Sequence, residues 1–343
     1  MTSATQPPSR AELDRSRARR AAVKKYYIYV VLLLIIVIFS VVKLDQVPLF
    51  GRGHFLSRDS VINLLRTAVP IMTVSGAFTL LMISGYIDLS VGSAMSLNAV
   101  VFSWLVLNGV SFFPALFITL LVGVFLGAIN GFLVMRLRIT PVIATLVTLL
   151  LYKGVALLIV PDGTSAIKST ADQIMPGWIN TYARANVLLG LPAAFFVALA
   201  VIGVLVIVQR KTILGKYAAA IGGNRTAAEL SGISAVKIVW LLYIIVGVCA
   251  ALAGVARASY MSLGDPLSGD GMELACIIAV LLGGTAFSGG EGSVAKTMIG
   301  ALIIISVTTG LMTVIPAYWQ TLAVGSVLLA AVVLNHVLVR EKA

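Results

Sequence analysis

The chain has 343 residues, of which 59% are hydrophobic and only 11% charged, with a mean hydropathy of +1.05. A soluble domain carries about 25% charged residues, so a soluble enzyme is excluded, and long continuous apolar runs exclude a β-barrel with its period-two alternation. The net charge of +12 does not signal nucleic acid, because seven of the 25 basic residues crowd into the first 25 positions beside an apolar run. A basic tail so placed sets topology and touches anionic lipid headgroups.

That first run, Tyr26 to Leu44, is too long for a signal-peptide core and is not followed by a small-residue cleavage site. It is a retained span. The expected fold class is all-α, a polytopic membrane bundle of ten spans at roughly 26–44, 61–83, 92–110, 112–135, 139–160, 187–208, 237–260, 272–283, 297–315 and 317–339. The eighth is short. Tight turns are expected at Gly109 to Pro114 and at Ile315-Pro316-Ala317. Residues 1–25 form a basic cytosolic tail, and residues 26–343 form a single transmembrane domain with no cut into soluble parts.

The positive-inside bias gives the orientation. With the N-terminus inside, Arg136 and Arg138, then Arg210, Lys211, Lys216, Arg225 and Lys237, then Lys296, and finally Arg340 and Lys342 all fall inside. Both termini are therefore cytosolic. Two connections are long: an outer loop, 161–186, with Pro161-Asp162-Gly163 and Pro176-Gly177-Trp178, and an inner loop, 209–236. Within the inner loop Gly222-Gly223 suits a sharp turn, Asn224 suits the N-cap of a short helix over Arg225 to Leu230, and Gly232 suits its C-terminal cap.

The polar stretch from Ser84 to Ser93 interrupts two apolar runs and carries Asp88. A carboxylate in apolar territory is costly unless partnered, capped or facing water. Asp88 suits the N-cap of the third span, accepting from the amide of Ser90 or Val91. A weak echo of this stretch, 283–293, precedes another span and also falls inside. Gly-interrupted pairs of this kind point toward pathway elements in transporters.

Other charges in or near spans are Arg66, Lys153, Arg257 and Glu273. Each either lines a polar pathway or has a structural explanation: Lys153 and Arg257 reach the interface by snorkelling, and Glu273 complements a helix start. Gly290 to Thr297 imitates a phosphate-binding loop but has Ala295 where the pattern needs glycine. No nucleotide site is expected. His54 and His336 are the two histidines and form no metal spacing, and Cys249 and Cys276 read as small buried hydrophobes.

With these pieces assembled, the chain resembles the ribose/xylose-type sugar permeases of bacterial ABC importers. The resemblance rests on Ile83-Ser84-Gly85-Tyr86-Ile87-Asp88-Leu89-Ser90-Val91-Gly92-Ser93, on Leu214-Gly215-Lys216-Tyr217 through Gly222-Gly223-Asn224 to Leu230-Ser231-Gly232-Ile233, and on Leu282-Gly283-Gly284-Thr285 with Ser288-Gly289-Gly290 and Gly300-Ala301-Leu302-Ile303. Ile143-Ala144-Thr145-Leu146 with Lys153-Gly154 adds a fourth block. The chain departs from the pattern at Tyr86, where a second glycine is usual, and at Arg225, where an acid is usual. Further departures are Ala275, Lys296 and Thr308-Thr309.

The resemblance implies a transport subunit and not an enzyme, which itself binds no cofactor. ATP and Mg would belong to a cytosolic ABC ATPase partner. It also implies a periplasmic or lipid-anchored sugar-binding protein, a second permease copy (identical or paralogous) and a bacterial plasma-membrane location. Gly215, Tyr217, Gly222, Gly223, Asn224, Arg225, Glu229 and Gly232 would belong to the loop that couples to the ATPase. Gly283, Gly284, Gly289, Gly290 and Gly292 would form a second inner element. For a hydroxyl-rich cargo the expected pathway wall is Asp88, Ser90, Ser93, Asn98, Asn130, Thr145, Thr148 and Tyr152, which supply donors and acceptors. Alternative cargoes are a nucleoside, a furanose signal or a branched-chain amino acid. From other classes, an ion-gradient-driven transporter and a structural scaffold stay open.

Overall fold

The computed structural model describes residues 28–37, 57–160, 166–169 and 174–314, together with positions 319, 322, 325, 326 and 329. The basic tail, most of the expected tenth span, the hairpin at Ile315-Pro316-Ala317 and parts of the first span and the 161–186 loop lie outside these residues. The described helices are α1 (Ile28–Val37), α2 (Arg58–Ile83), α3 (Val91–Leu107), α4 (Phe112–Met135), α5 (Pro141–Ile159), α6 (Ile179–Arg184), α7 (Ala193–Lys211), α8 (Ile213–Gly223), α9 (Arg225–Leu230), α10 (Ala235–Met261), α11 (Met272–Leu282) and α12 (Val294–Val314). Among the described residues there are no β-strands, only the isolated bridges Ile167 to Gly264 and Leu188 to Leu191.

Five helices, α2, α4, α5, α7 and α10, are long and apolar enough to cross a membrane; α3, α11 and α12 are shorter apolar helices or helix stretches. Burial sorts them. The most apolar window of α2 is 83% buried and that of α10 is 61% buried, against 28% for α4, α5 and α7. So α2 and α10 are the central staves and the other three are flanks. α10 packs most extensively against α4, then α3 and α2. The α4–α10 crossing is close because both helices present glycine: a methyl at Gly123 or Gly127 would run into the α10 backbone at Gly247 or Tyr243, the small-residue packing that membrane helices use where apolar burial gives no preference between protein and lipid. The outward faces of α4 and α5 expose Phe113, Phe117, Phe125, Leu150 and Leu158, side chains suited to a hydrocarbon surrounding.

Helix ends follow local rules. Ser57 caps α2 by accepting from the Ser60 amide, with Asp59 in the first turn. Pro141 opens α5, where its missing N–H costs nothing. Cys249 and Cys276 are both buried and free.

The inner loop is more helical than its composition suggested. α9 spans Arg225 to Leu230 as expected, with the Asn224 side chain accepting from the Ala227 amide at 3.0 Å. Gly232, in the left-handed region, ends the helix as the Gly232 amide bonds to Glu229 and the Ile233 amide to Ala228. The expected turn at Gly222-Gly223 is instead the last part of α8. Its glycines answer to a neighbour rather than to a bend.

Candidate functional site

Three glycine-bearing segments that lie far apart in sequence meet at one end of the bundle. Gly222 sits against the last carbonyl of α2, and a methyl on it would overlap the Ile83 oxygen and crowd the Gly290 amide. That same oxygen accepts from the Gly290 N–H at 2.7 Å. Gly289, at φ +85°, holds a conformation that favours glycine and lies on the Gly85 backbone, where a β-carbon would come within 2.8 Å of the Gly85 nitrogen. Backbone rests on backbone. The two echoing stretches therefore touch, and the end of α8 is wedged against both.

Side chains secure the junction. Gln209 bridges α7 to the start of α12, donating to the Gly292 carbonyl at 2.8 Å and accepting from the Val294 amide at 2.9 Å. Buried Thr79 of α2 donates to Thr297 of α12 at 2.8 Å. Arg225, at the start of α9, donates to the Tyr86 phenol oxygen at 2.9 Å and to Glu229 at 2.9 Å. Burial raises the Tyr86 phenol above its ordinary value, against the opposing pull of Arg225, so the phenol keeps its proton. Tyr86 and Arg225 are both departures from the sugar-permease pattern, and they bond each other.

One layer further in, the chain between α2 and α3 feeds a closed polar network. Asp88 accepts from the Ser90 amide at 2.8 Å and from the Ser90 hydroxyl at 2.7 Å. Asn130 of α4 donates to the other Asp88 oxygen at 3.1 Å and to Ser90 at 2.7 Å. Thr148 of α5 donates to the Asn130 oxygen at 2.7 Å, and the Tyr152 hydroxyl lies 2.9 Å from the Leu126 carbonyl and 3.2 Å from Asn130. Asp88 is only 3% exposed. Burial pushes its carboxyl up from the ordinary range, while the bonds from Ser90 and Asn130 pull it down. No void large enough for a water molecule lies among these groups.

Of the eight expected wall residues the structure thus joins five, Asp88, Ser90, Asn130, Thr148 and Tyr152. Ser93 and Thr145 bond the backbone beside them, to Ser90 and Pro141. Asn98 stands apart in α3, donating to Ala94 while its buried side-chain oxygen has no partner among the described residues. Asp88 accepts from the Ser90 amide as expected, but α3 begins at Val91 with Ser90 as its cap residue. Its partner across the bundle, Asn130, lies 42 positions away.

In the coupling-loop set, Gly215 is buried in α8, Tyr217 is exposed on the same helix, and Arg225 and Glu229 form an i,i+4 pair about half exposed. In the glycine-rich set, Gly283 closes α11 against Thr297, Gly284 has φ +81°, and Gly292 lies against Ile83 and Thr285. The residues that composition missed are Gln209 and Tyr243, whose hydroxyl donates to the Ile87 carbonyl at 2.9 Å. A lone amide at the end of an apolar run was the available signal for Gln209. Among the described residues no His, Cys, Asp and Glu cluster is placed to hold a metal.

Residues 60–334 match the family model described as branched-chain amino acid transport system / permease component. The chain belongs to this permease family. The permease is 34% identical over 296 residues to the ribose import permease protein of Haemophilus influenzae, covering 84% of this chain and 88% of that one. It is 33% identical over 288 residues to the D-allose transport system permease protein of Escherichia coli, covering 83% and 86%. It is 32% identical over 255 residues to the fructose import permease protein of Bifidobacterium longum, covering 74% and 70%. No solved structure matches the permease.

Proposed function

We propose that this chain is the membrane permease of an ATP-driven importer that moves a monosaccharide of the pentose or hexose class across the bacterial plasma membrane by alternating access. The relatives named for ribose, allose and fructose support that cargo class. The observation that carries the mechanism is the junction of Ile83–Gly85, Gly222–Gly223 and Gly289–Gly290. A displacement of α8 and α9 is passed by backbone contact to the end of α2 and to the segment before α12, with no flexible side chain between. In this reading the bundle has ten spans with both termini in the cytosol, and 209–236 docks on an ATPase subunit that holds ATP and Mg. A sugar-binding protein delivers the cargo on the other side, and a second permease copy, set in membrane lipid, completes the pathway. The Asp88 network fastens α3, α4 and α5 into one wall of it.

The test is reconstitution in vesicles with the neighbouring ATPase and binding protein. ATP-dependent uptake of D-ribose, D-allose or D-fructose is expected. Uptake that ignores ATP and follows a proton or sodium gradient overturns the reading. A nucleoside, a furanose or a branched-chain amino acid that outcompetes every sugar changes the cargo and leaves the machine. For the loop, the paired change Arg225→Glu with Glu229→Lys keeps an opposite-charge pair on α9 in its favoured order while removing the bond to Tyr86. Retained ATP hydrolysis with lost uptake is expected; unchanged coupling reduces the loop to a connector.

A further inference from the structure

The expected eighth span, 272–283, is helical over Met272–Leu282 but short, and the residues that lead into it are not helical. Residues 262–271 leave α10 and run back along α3: Gly264 lies against Val100 and Ser103, Gly269 lies against Gly92, and the Gly269 amide donates to Ser96 at 2.8 Å. α11 then contributes 11 residues, about 16 Å at 1.5 Å per residue, roughly half of an apolar bilayer core. Non-helical backbone at membrane depth persists where it is packed in protein or lines a polar cavity.

Here it does both. Ser268, Asp270 and Gly271 border a cavity of about 540 Å³ whose other walls come from α2, α3, α10, α11, α12 and Gly325, within the roughly 300–1,000 Å³ of small-molecule sites. Two of its lining groups, the Arg257 Nε and the Ser268 hydroxyl, are buried with no hydrogen-bond partner among the described residues, a state that proteins rarely leave unanswered. Thr67 and Thr308 also line it, and their protons are committed to the Asn63 and Ile304 carbonyls, so their oxygens are left as acceptors. Asp270 is held by Lys153 at 2.7 Å and keeps spare lone pairs. Ile71, Met95 and Ile278 supply an apolar wall.

We propose that this cavity is the transit site for an uncharged monosaccharide, with Arg257 and Ser268 donating to its oxygens and Thr67, Asp270 and Thr308 accepting from its hydroxyls. The choice of monosaccharide rests on the importer reading above; the cavity and its unpaired donors do not. A sugar hydroxyl both donates and accepts, which matches a site offering each. An anion fits less well, because Asp270 and the nearby Glu273 already oppose Lys153, and Asp265 acts on Arg257. One face of a sugar ring is C–H and suits the apolar wall.

The test has two arms in the assembled importer. In the first, Arg257→Gln and Ser268→Ala are each expected to cut ATP-dependent uptake of the transported sugar by about tenfold, the size of one lost hydrogen bond to a charged or buried group. ATP hydrolysis stimulated by the loaded binding protein should change less than about twofold. Arg257→Lys, which keeps a cation but not the guanidinium geometry, checks that the loss is not misassembly. In the second arm Ser268→Cys is made with Cys249→Ala and Cys276→Ala, and the introduced thiol is titrated with a hydrophilic thiol reagent. D-ribose, D-allose or D-fructose should slow its modification, and sodium phosphate should not. Protection by a sugar in a protein that shows no ATP-driven uptake supports the cavity while the importer reading fails. Wild-type uptake in Arg257→Gln and Ser268→Ala, or labelling that no sugar slows, overturns the cavity.

Discussion

At the junction end Ile83, Gly222 and Gly289 press backbone on backbone, whereas about 20 Å away along α2 Arg257 and Ser268 border a cavity of about 540 Å³ with the Arg257 Nε and the Ser268 hydroxyl unpaired among the described residues. Both regions interrupt helices, and both depend on glycine. They differ in what fills the space. At the junction each close approach is taken up by another main chain, so movement of one segment must move the next. Around the cavity the irregular segment 262–271 is tied down on its α3 side and left open on the other. Contact without slack suits transmission, and vacancy with spare donors suits passage.

The contrast can be broken by substitution. The largest effect is expected at Asn130→Leu, which leaves the buried Asp88 carboxylate with Ser90 alone on its side-chain partners. Asn130 also partners Ser90 and Thr148, and each buried polar group left unsatisfied costs about 1–3 kcal/mol, read together as a collapse in purified yield or melting temperature. Asp88→Asn should assemble; if it then fails to transport, the acid gates or touches cargo as well as fastening helices.

Gly222→Ala ranks next, at about 1–3 kcal/mol for overpacking, because the Ile83 carbonyl has nowhere to go. Its control is Gly203→Ala in α7, where nothing lies within 4 Å of the added methyl and helix propensity predicts a gain of up to about 1 kcal/mol. Equal melting points for the two variants would remove the junction's rigidity from the comparison.

The expectations drawn from residues alone succeeded where the cause was local. Asn224 and Gly232 frame α9 because an amide acceptor and a left-handed glycine act within four positions of themselves. Six of the seven spans from 61–83 to 272–283 agree with helices to within three or so residues at most ends, since apolar length is written in the chain; 187–208 begins six residues early because Leu188 to Leu191 form a small turn. What escaped was long-range. Gly222 looked like a turn because its reason, the Ile83 carbonyl, is 139 positions away. Tyr86 and Arg225 stood out one by one as departures, and only the fold brings them to 2.9 Å. The cavity had no sequence signal beyond Arg257 as a charge in an apolar helix.

Two smaller predictions sharpen the contrast. Tyr86→Phe removes one hydrogen bond at the junction and should cost about 1 kcal/mol, seen as a several-fold rise in ATP hydrolysed per sugar moved. Lys153→Met removes a part-exposed ion pair beside the cavity, worth under about 1 kcal/mol and weaker still in high salt. A large, salt-independent loss there would mean that the pair positions Asp270 for cargo.

Helix α2 reaches both regions, with Ile83 at the junction and Pro70 in the cavity wall. Proline has no amide to return to the Arg66 carbonyl, so that turn of α2 lacks one helical hydrogen bond. The segment from Pro70 to Ile83 is almost wholly buried and braced on all sides, so it resists bending; the turn at Pro70 does not. Mechanically α2 is a beam loaded at Ile83 and softened beside the cavity, which sets where along its length a push is converted into a change of shape.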